Sequence, residues 1–273
     1  MTTELDPKRP NDWRMDAYFS GKPSLSDIAF LLTLVPSAKD AKPVTEQLEE
    51  QDWVTLSQRE LEPIRAGRFF IHTSMHRHET PARAIAFEID AGRAFGTGHH
   101  DTTAGCLSAL DRLKRNGASF SNILDLGTGT GLLAFAALSL WPAARCIASD
   151  IDPISIEVTQ ENARLNSIRL GRARGQLEIV TAGGFDHLRL KARAPYDLVV
   201  ANILAGPLID LSRNVAKALE PGGHLILAGL LRDQAAAVVQ AYRRCDMMQI
   251  RLPDPDAEWP VLELRKRRVE RRK

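Results

Sequence analysis

One stretch of the chain decides the fold: Asn122-Ile-Leu-Asp-Leu-Gly127-Thr-Gly129-Thr-Gly131. Its first half is a short apolar run with the length of a buried strand, and the apolar run that follows, residues 132–140, is long enough for a helix. The glycines between the two runs let the backbone turn tightly and bring the helix N-terminus close to a ligand. The stretch therefore predicts a strand-turn-helix unit with a ligand-binding turn.

Strand and helix patterns alternate from this unit to the C-terminal region. Further strands are predicted at residues 145–150, 177–181, 196–201 and 224–229, and helices at 153–166, 208–219 and 232–244. Such alternation with continuously apolar strands is typical of a parallel sheet covered on both faces. The last two apolar segments, 247–252 and 260–264, have no helix between them and predict an antiparallel hairpin at one edge. The predicted fold class is α/β, with a doubly wound, mostly parallel sheet.

The N-terminal third of the chain differs from this pattern. Residues 1–60 are predicted to form a small α/β domain, with a strand within 13–19, a helix that begins at Ser24 and an acidic helix over 44–53. Residues 61–94 are predicted to lead into the core, with a linker near 59–67 and strands at 68–73 and 84–90. The main domain then covers residues 95–265, and a basic tail covers residues 266–273.

The composition excludes several classes of protein. Of the 273 residues, 44% are hydrophobic and 26% are charged, which excludes a wholly disordered chain. There is no run of about 18 apolar residues that would predict a membrane-spanning helix, and the first residues lack the layout of a secretory signal. Three scattered cysteines without a CxxC pair argue against disulfides and structural zinc. We therefore predict a cytoplasmic protein without a metal site or a membrane partner.

The net charge of +2 hides a strongly basic C-terminus. Residues 265–273 hold seven basic residues and one acidic residue, and the chain before them has a net charge of −4. Two interpretations stay open: a weak contact with ribosomal RNA, driven by counterion release, or a solvated chain end. Neither interpretation implies sequence-specific recognition of a nucleic acid.

The second predicted strand ends in an acidic residue, Asp150, which lies 23 residues after Gly127. An acid at this place typically binds ribose hydroxyls. A dinucleotide fingerprint would need a third glycine where this chain has Leu132, so an NAD-dependent oxidoreductase is disfavoured. The turn fits a nucleoside without a diphosphate, and S-adenosylmethionine is the obvious candidate. Asp152, directly before Pro153, is predicted to cap the next helix.

The fourth predicted strand leads into Asn202, a polar amide at the end of an apolar run. An amine that accepts a methyl group must be neutral and oriented, and an amide oxygen can accept its N–H hydrogens and align its lone pair. Asn202 is therefore the candidate catalytic residue. The alternative is that Asn202 caps the helix after Pro207.

Another glycine-containing segment precedes a helix that is predicted to begin near Ala104: Ala94-Phe-Gly-Thr-Gly-His-His-Asp-Thr-Thr103. The density of motif residues favours a flap over the nucleoside, whereas the two threonines alone would serve as helix caps. The histidine pair invites a metal site, but the segment offers no further ligands with metal spacing.

Four motifs together resemble the PrmA family, the methyltransferases of large-subunit ribosomal protein L11: segments 95–107, 125–131, 150–153 and 202–207. The resemblance covers about residues 60–265 and implies a class I methyltransferase fold behind a small substrate-recognition domain. It implies S-adenosylmethionine as the donor, and lysine side chains and the N-terminus of the ribosomal protein as acceptors. The residues implied to contact the cofactor are Thr103, Gly127, Asp150 and Asn202, and Gly129 is expected to approach it within the same turn.

This chain departs from the family pattern in two places. Thr128 and Thr130 stand where small Cys or Ser residues are more usual, which is a mild change. The N-terminal domain looks short and irregular, and this leaves open how the substrate docks and which amines are chosen.

The leading hypothesis is a direct in-line methyl transfer in which positioning and desolvation provide most of the catalysis. One alternative is a methyltransferase for another amine or amide nitrogen, on a small metabolite or a release-factor glutamine. Relatives that modify glutamine carry Asn-Pro-Pro-Tyr where this chain has Asn202-Ile-Leu-Ala. An alternative from a different class is a non-catalytic module that binds the ribosome or RNA.

Overall fold

The structure is a computed structural model that describes residues 2–4, 13–15, 17, 19, 21–34, 43–45, 62–89 and 100–268. The chain divides into two compact units, Met1–Asp52 and Trp53–Lys273. The residues of the candidate site lie in the second unit.

The described part of the first unit contains a two-stranded antiparallel sheet and one helix. Strand β1 (Thr2–Glu4) pairs with strand β2 (Trp13–Met15), which covers the start of the strand predicted within 13–19. Helix α1 (Leu25–Leu34) begins after Ser24, as predicted. The Ser24 hydroxyl accepts a hydrogen bond from the Asp27 N–H at 3.2 Å, and the Asp27 carboxylate accepts one from the Ser24 N–H at 2.8 Å. Most of the acidic helix predicted over 44–53 lies outside the described residues.

The second unit begins with a small sheet of three strands: β3 (Ile64–Ala66), β4 (Phe69–His72) and β5 (Ile85–Glu88). Strand β3 is antiparallel to β4, and β4 is parallel to β5; a 3-10 helix, Ser74–Glu79, connects the latter two. The prediction of a linker is therefore wrong over residues 64–66. The reason is that a three-residue strand is too short to produce a periodic pattern.

The main sheet has seven strands in the order β11-β12-β10-β9-β6-β7-β8. Their bounds are β6 Asn122–Leu126, β7 Arg145–Asp150, β8 Leu177–Thr181, β9 Tyr196–Asn202, β10 Leu219–Ala228, β11 Met247–Arg251 and β12 Leu262–Lys266. The five strands that neighbour one another in the order β10-β9-β6-β7-β8 are parallel. Strand β12 runs antiparallel to both β10 and β11. The predicted α/β class with an antiparallel edge hairpin is confirmed.

Seven helices of the second unit accompany this sheet in the described part of the chain: α2 His100–Arg115, α3 Leu132–Leu140, α4 Pro153–Leu165, α5 Leu188–Arg193, α6 Ala205–Asp210, α7 Ser212–Ala218 and α8 Arg232–Arg243. Alternate residues of β6 enter two separate apolar clusters, since Ile123 packs in one and Leu124 in the other. The sheet is therefore covered on both faces, as the continuous apolar strands predict.

The helix boundaries differ from the predictions in three places. The helix predicted over 208–219 is interrupted at Leu211 and forms α6 and α7. Helix α5 is short and was not anticipated from the pattern. Helix α2 begins at His100 rather than near Ala104, so Thr102 and Thr103 lie within the helix and do not cap it.

The strand order places the site. Strand β6 lies between β7 and β9, so the chain winds away from β6 in both directions. In open α/β sheets, ligands bind beyond the carboxyl ends of the strands at such a switch point. The strands that end there carry Asp150 and Asn202. Within the described residues, no helix has the length and apolar character needed to cross a membrane.

Candidate active site

The glycine-rich turn is fastened to the neighbouring strand β7. The N–H groups of Gly127 and Thr128 both donate to the Ser149 carbonyl oxygen, at 2.8 and 2.9 Å. Gly127, Gly129 and Gly131 all have positive φ angles, of 75°, 54° and 87°. Glycine adopts this left-handed conformation without the steric cost that other residues bear.

The glycines of the turn face different surroundings. A Cβ atom on Gly127 would overlap the Cγ2 atom of Ile203, the residue after Asn202. A Cβ atom on Gly129 would meet no heavy atom within 4 Å in the described structure. Gly127 is therefore required for packing of the turn against the end of β9, whereas the backbone at Gly129 borders open space.

Asp150 organises the same turn from the end of β7. One oxygen of its carboxylate accepts from the Gly129 N–H at 2.9 Å, and the other accepts from the Asp152 N–H at 3.0 Å. Asp152 itself caps α4, because its side chain accepts from the Ile154 N–H at 2.9 Å. The two acids thus have the separate positions that the sequence predicts, with Asp150 at the turn and Asp152 at the helix.

Helix α4 supports the turn from the other side. The Thr159 hydroxyl donates to the Gly129 carbonyl oxygen at 2.8 Å, and the Asn162 amide donates to the Thr130 carbonyl oxygen at 3.0 Å. Both side chains are buried. The turn is thus held by the sheet and by a helix, which leaves it little freedom to rearrange when a ligand binds.

Asp125, a residue to which the sequence analysis gave no role, is a buried carboxylate beneath the turn. Its Oδ2 atom accepts hydrogen bonds from the Thr128 hydroxyl at 2.7 Å and from the Ala134 N–H, in the first turn of α3, at 3.0 Å. Its Oδ1 atom is buried and has no hydrogen-bond partner among the described residues. Burial raises the pKa of Asp125 to about 6, although the two hydrogen bonds act in the opposite direction.

We expect Asp125→Asn to remove a decline in stability between about pH 4 and pH 6. In the native protein the carboxyl binds its proton more tightly than in the unfolded chain, whose pKa is near the ordinary value of 3.8. Protonation of Asp125 therefore adds about 2–3 kcal/mol to the free energy of unfolding below pH 3.8, and this contribution is lost as the pH rises through about 6. Urea unfolding of both proteins across this range measures the difference, and parallel pH profiles would contradict the expectation.

Asn202 lies at the end of β9, beside helix α2. Its Nδ2 atom is 3.4 Å from the Thr102 hydroxyl and 3.5 Å from the Thr103 hydroxyl, both at the long limit of a hydrogen bond. The N-cap residue of α6 is Leu204, and no side chain caps that helix. The interpretation of Asn202 as a helix cap is therefore wrong, and its side chain is oriented toward α2.

The predicted site residues thus fall into two adjoining groups. Gly129 and Asp150 are hydrogen-bonded to each other, and Asn202 lies beside Thr103. The close packing of Gly127 against Ile203 joins the two groups. Residues 94–99 of the predicted flap lie outside the described residues.

Two exposed apolar side chains at the site were missed by sequence reasoning. Ile151 follows Asp150 and is 76% exposed, and Leu204 follows the Asn202-Ile203 pair and is 66% exposed. A large apolar residue within two positions of a strand end is the signal that could have identified them. Among the described residues, no group of three or more histidine, cysteine or acidic side chains is arranged to hold a metal ion.

Comparison with known proteins assigns the family. The family described as Ribosomal protein L11 methyltransferase (PrmA) matches residues 3–267. The chain belongs to this family. A relative from Rhizobium etli named Ribosomal protein L11 methyltransferase is 42% identical over 251 residues, which are 92% of this chain and 83% of the relative. Its namesake from Agrobacterium fabrum is 39% identical over 266 residues, 97% of this chain and 88% of the relative.

Solved structures agree with the observed fold. The ribosomal protein L11 methylase from Lactobacillus delbrueckii subsp. bulgaricus aligns with a TM-score of 0.63 and 26% identity, covering 76% of this chain and 100% of that one. A methyltransferase from Pyrococcus furiosus shares the fold, with a TM-score of 0.51 and 15% identity over 67% of this chain and 90% of that one. The class I methyltransferase fold implied by the four sequence motifs is confirmed.

Proposed function

We propose that this PrmA-family protein transfers methyl groups from S-adenosylmethionine to amino groups of ribosomal protein L11, on lysine side chains and at the N-terminus. The observation that carries the proposal is the position of Asn202: it ends a buried strand at the switch point, does not cap α6, and precedes Ile203, which packs against Gly127 of the glycine turn. Since the proposed acceptor is a ribosomal protein, we place the reaction in the cytoplasm.

The residues at the switch point fit S-adenosylmethionine. The open space at Gly129 admits a ligand close to the backbone, and the Asp150 carboxylate has lone pairs left for ribose hydroxyls after accepting two N–H groups. The partly uncompensated carboxylate of Asp125 favours a positively charged ligand. When bound, the cofactor supplies an electrophilic methyl group on a sulfonium centre.

Asn202 is proposed to orient the acceptor amine. Its Nδ2 atom is directed toward the Thr102 and Thr103 hydroxyls, and its Oδ1 atom is then available to accept an N–H from a neutral amine. A fixed acceptor oxygen points the amine lone pair in one direction, which lowers the entropic part of the barrier. Thr103 is proposed to line the cofactor side of the same cleft.

We expect Asp150→Ala to weaken the binding of S-adenosylhomocysteine by about 1.5–3 kcal/mol, the range for hydrogen bonds to a charged group. The affinity falls for two reasons: the contacts with the ribose are lost, and the turn loosens at Gly129. Isothermal titration measures the affinity. Asp152→Ala is the matched control: it removes a cap and about 1 kcal/mol of stability, but it leaves the affinity within about threefold of wild type. Equal effects of the two variants on affinity would contradict the assignment of Asp150.

The proposed function is tested by intact-mass spectrometry of purified, unmethylated ribosomal protein L11. After incubation with the full chain and S-adenosylmethionine, we expect mass increments of whole methyl groups on the ribosomal protein. Tandem mass spectrometry of proteolytic peptides from the same product separates methyl groups on lysines from those at the N-terminus. An unchanged mass under conditions where S-adenosylhomocysteine binds would refute L11 as the acceptor and retain the cofactor assignment.

A further inference from the structure

A strongly basic surface lies at the β8 edge of the main sheet. Residues 164–193, which contain β8 and the segments on either side of it, hold seven basic and two acidic residues, a net charge of +5. The other 243 residues hold 29 basic and 32 acidic residues, a net charge of −3. Residues 164–193 are therefore a second basic region of the chain, besides the C-terminal residues 265–273.

The arginines before β8 are exposed and largely uncompensated. Residues 162–177 contain no acidic residue, and all four arginines of this segment are exposed: Arg164, Arg169, Arg172 and Arg174. Arg172 pairs with Glu178, but none of the other three forms an ion pair with a described residue. Charges of one sign that are close in sequence and unpaired raise the local potential and attract a ligand of opposite charge.

A single buried carboxylate in β8 orders three arginines, one from the loop before the strand and two from α5. Glu178 in β8 accepts two hydrogen bonds from Arg189, at 2.7 and 3.0 Å, and also pairs with Arg172 at 3.2 Å and Arg193 at 3.5 Å. The Arg189 guanidinium is the main reason that the pKa of Glu178 is lowered, so the carboxylate stays ionised. One negative charge thus positions three positive ones and leaves a net charge of +2.

Two of these arginines, Arg172 and Arg189, line a groove of about 560 Å³ along the outer edge of β8. The lining also includes Gln160 of α4, Leu170 of the loop before β8, and His187, the N-cap residue of α5. Arg169 and Arg174 lie in the same loop as Leu170 and Arg172 but outside the lining. Strand β8 is the last strand in the sheet order, and the groove extends along it to Thr181, whose backbone is in register with Asp150. The groove therefore ends near the predicted cofactor site.

We propose that this groove binds the phosphate backbone of RNA. Six of the seven basic residues in 164–193 are arginines, whose planar guanidinium matches two phosphate oxygens at once, whereas lysine presents only a point charge. The proposal does not depend on the identity of the acceptor, since it concerns a surface outside the glycine turn and Asn202.

The test is the binding of a fluorescently labelled RNA oligonucleotide to the full chain, followed by anisotropy from about 50 to 200 mM salt. Arg169→Glu/Arg174→Glu reverses two exposed charges that form no ion pair in the described structure, so folding is preserved. We expect this double variant to bind RNA at least about tenfold more weakly and to lower the salt slope by about 1–2. Its melting temperature and its affinity for S-adenosylhomocysteine are expected to be unchanged.

Matched variants distinguish this groove from other basic regions. Arg243→Glu/Arg244→Glu makes the same charge change at the end of α8, which packs against β11 at the opposite edge of the sheet, and is expected to alter affinity less than about threefold. Removal of residues 269–273 tests the basic tail separately.

Three results would overturn the proposal. The first is the absence of RNA binding by the wild-type chain at low salt. The second is an equal loss of RNA affinity in the Arg169/Arg174 and Arg243/Arg244 variants. The third is displacement of RNA by polyglutamate as readily as by unlabelled RNA, which would indicate an acidic protein partner instead.

Discussion

Asn202→Ala is expected to lower the rate of methyl transfer by about 10²–10⁴-fold, the range for loss of a positioned catalytic hydrogen-bonding group. The affinity for S-adenosylhomocysteine is expected to stay within about threefold of wild type, because the glycine turn and Asp150 remain in place. The physical reason is that the proposed role of Asn202 concerns the orientation of the acceptor amine. Turnover at saturating cofactor and substrate, together with titration of the cofactor product, measures the two quantities separately.

The control is Asn116→Ala, which removes the same side chain from an exposed position after the end of α2. We expect normal turnover in this variant. A purely structural role for Asn202 would appear as a lower melting temperature with near-normal turnover, and that result would show that the residue is not catalytic. A parallel loss of cofactor affinity and turnover would instead assign Asn202 to cofactor binding alone.

Much of the fold follows from apolar runs and glycine turns, because these have a fixed physical meaning wherever they occur. The strand at 122–126 and the helix at 132–140 were predictable for this reason, as was the antiparallel hairpin near the C-terminus. Strand β3 and helix α5 were not, since three and six residues are too few to establish a period. The interruption at Leu211 lies inside an apolar helical pattern, so local sequence gave no sign of it.

In the site, too, features set by local sequence were predictable, whereas features set by tertiary contacts were not. The positions of Asp150 and Asn202 follow from sequence, because both residues stand at the carboxyl ends of buried strands of a parallel sheet. The burial and unsatisfied oxygen of Asp125 could not be predicted, because they depend on how α3 and the turn close over the end of β6. The packing of Gly127 against Ile203 joins residues 76 positions apart in sequence, and only the adjacency of β6 and β9 brings them together.

Gly127→Ala is expected to lower kcat/KM by about 10²-fold or more. The new Cβ atom would overlap Cγ2 of Ile203, and repacking of such an overlap costs about 1–3 kcal/mol. The positive φ of 75° adds about 1–2 kcal/mol for a residue with a side chain. Because Ile203 follows Asn202 in the chain, its displacement moves the proposed catalytic amide, and a shift of about 1 Å is enough for a 10²-fold loss. Steady-state kinetics with the ribosomal protein measures the effect.

A second substitution separates the overlap from the backbone strain. Ile203→Ala removes the Cγ2 atom, so the double variant Gly127→Ala/Ile203→Ala is expected to recover kcat/KM by about tenfold relative to Gly127→Ala, while the strain at residue 127 remains. Gly129→Ala is the matched control, because its φ is also positive but its Cβ would meet no described atom within 4 Å. It is expected to weaken cofactor binding by filling the open space, and Ile203→Ala is not expected to rescue it. If Ile203→Ala rescued both glycine variants equally, or neither, the turn and the end of β9 would not be coupled through this contact, and the loss in Gly127→Ala would come from the backbone alone.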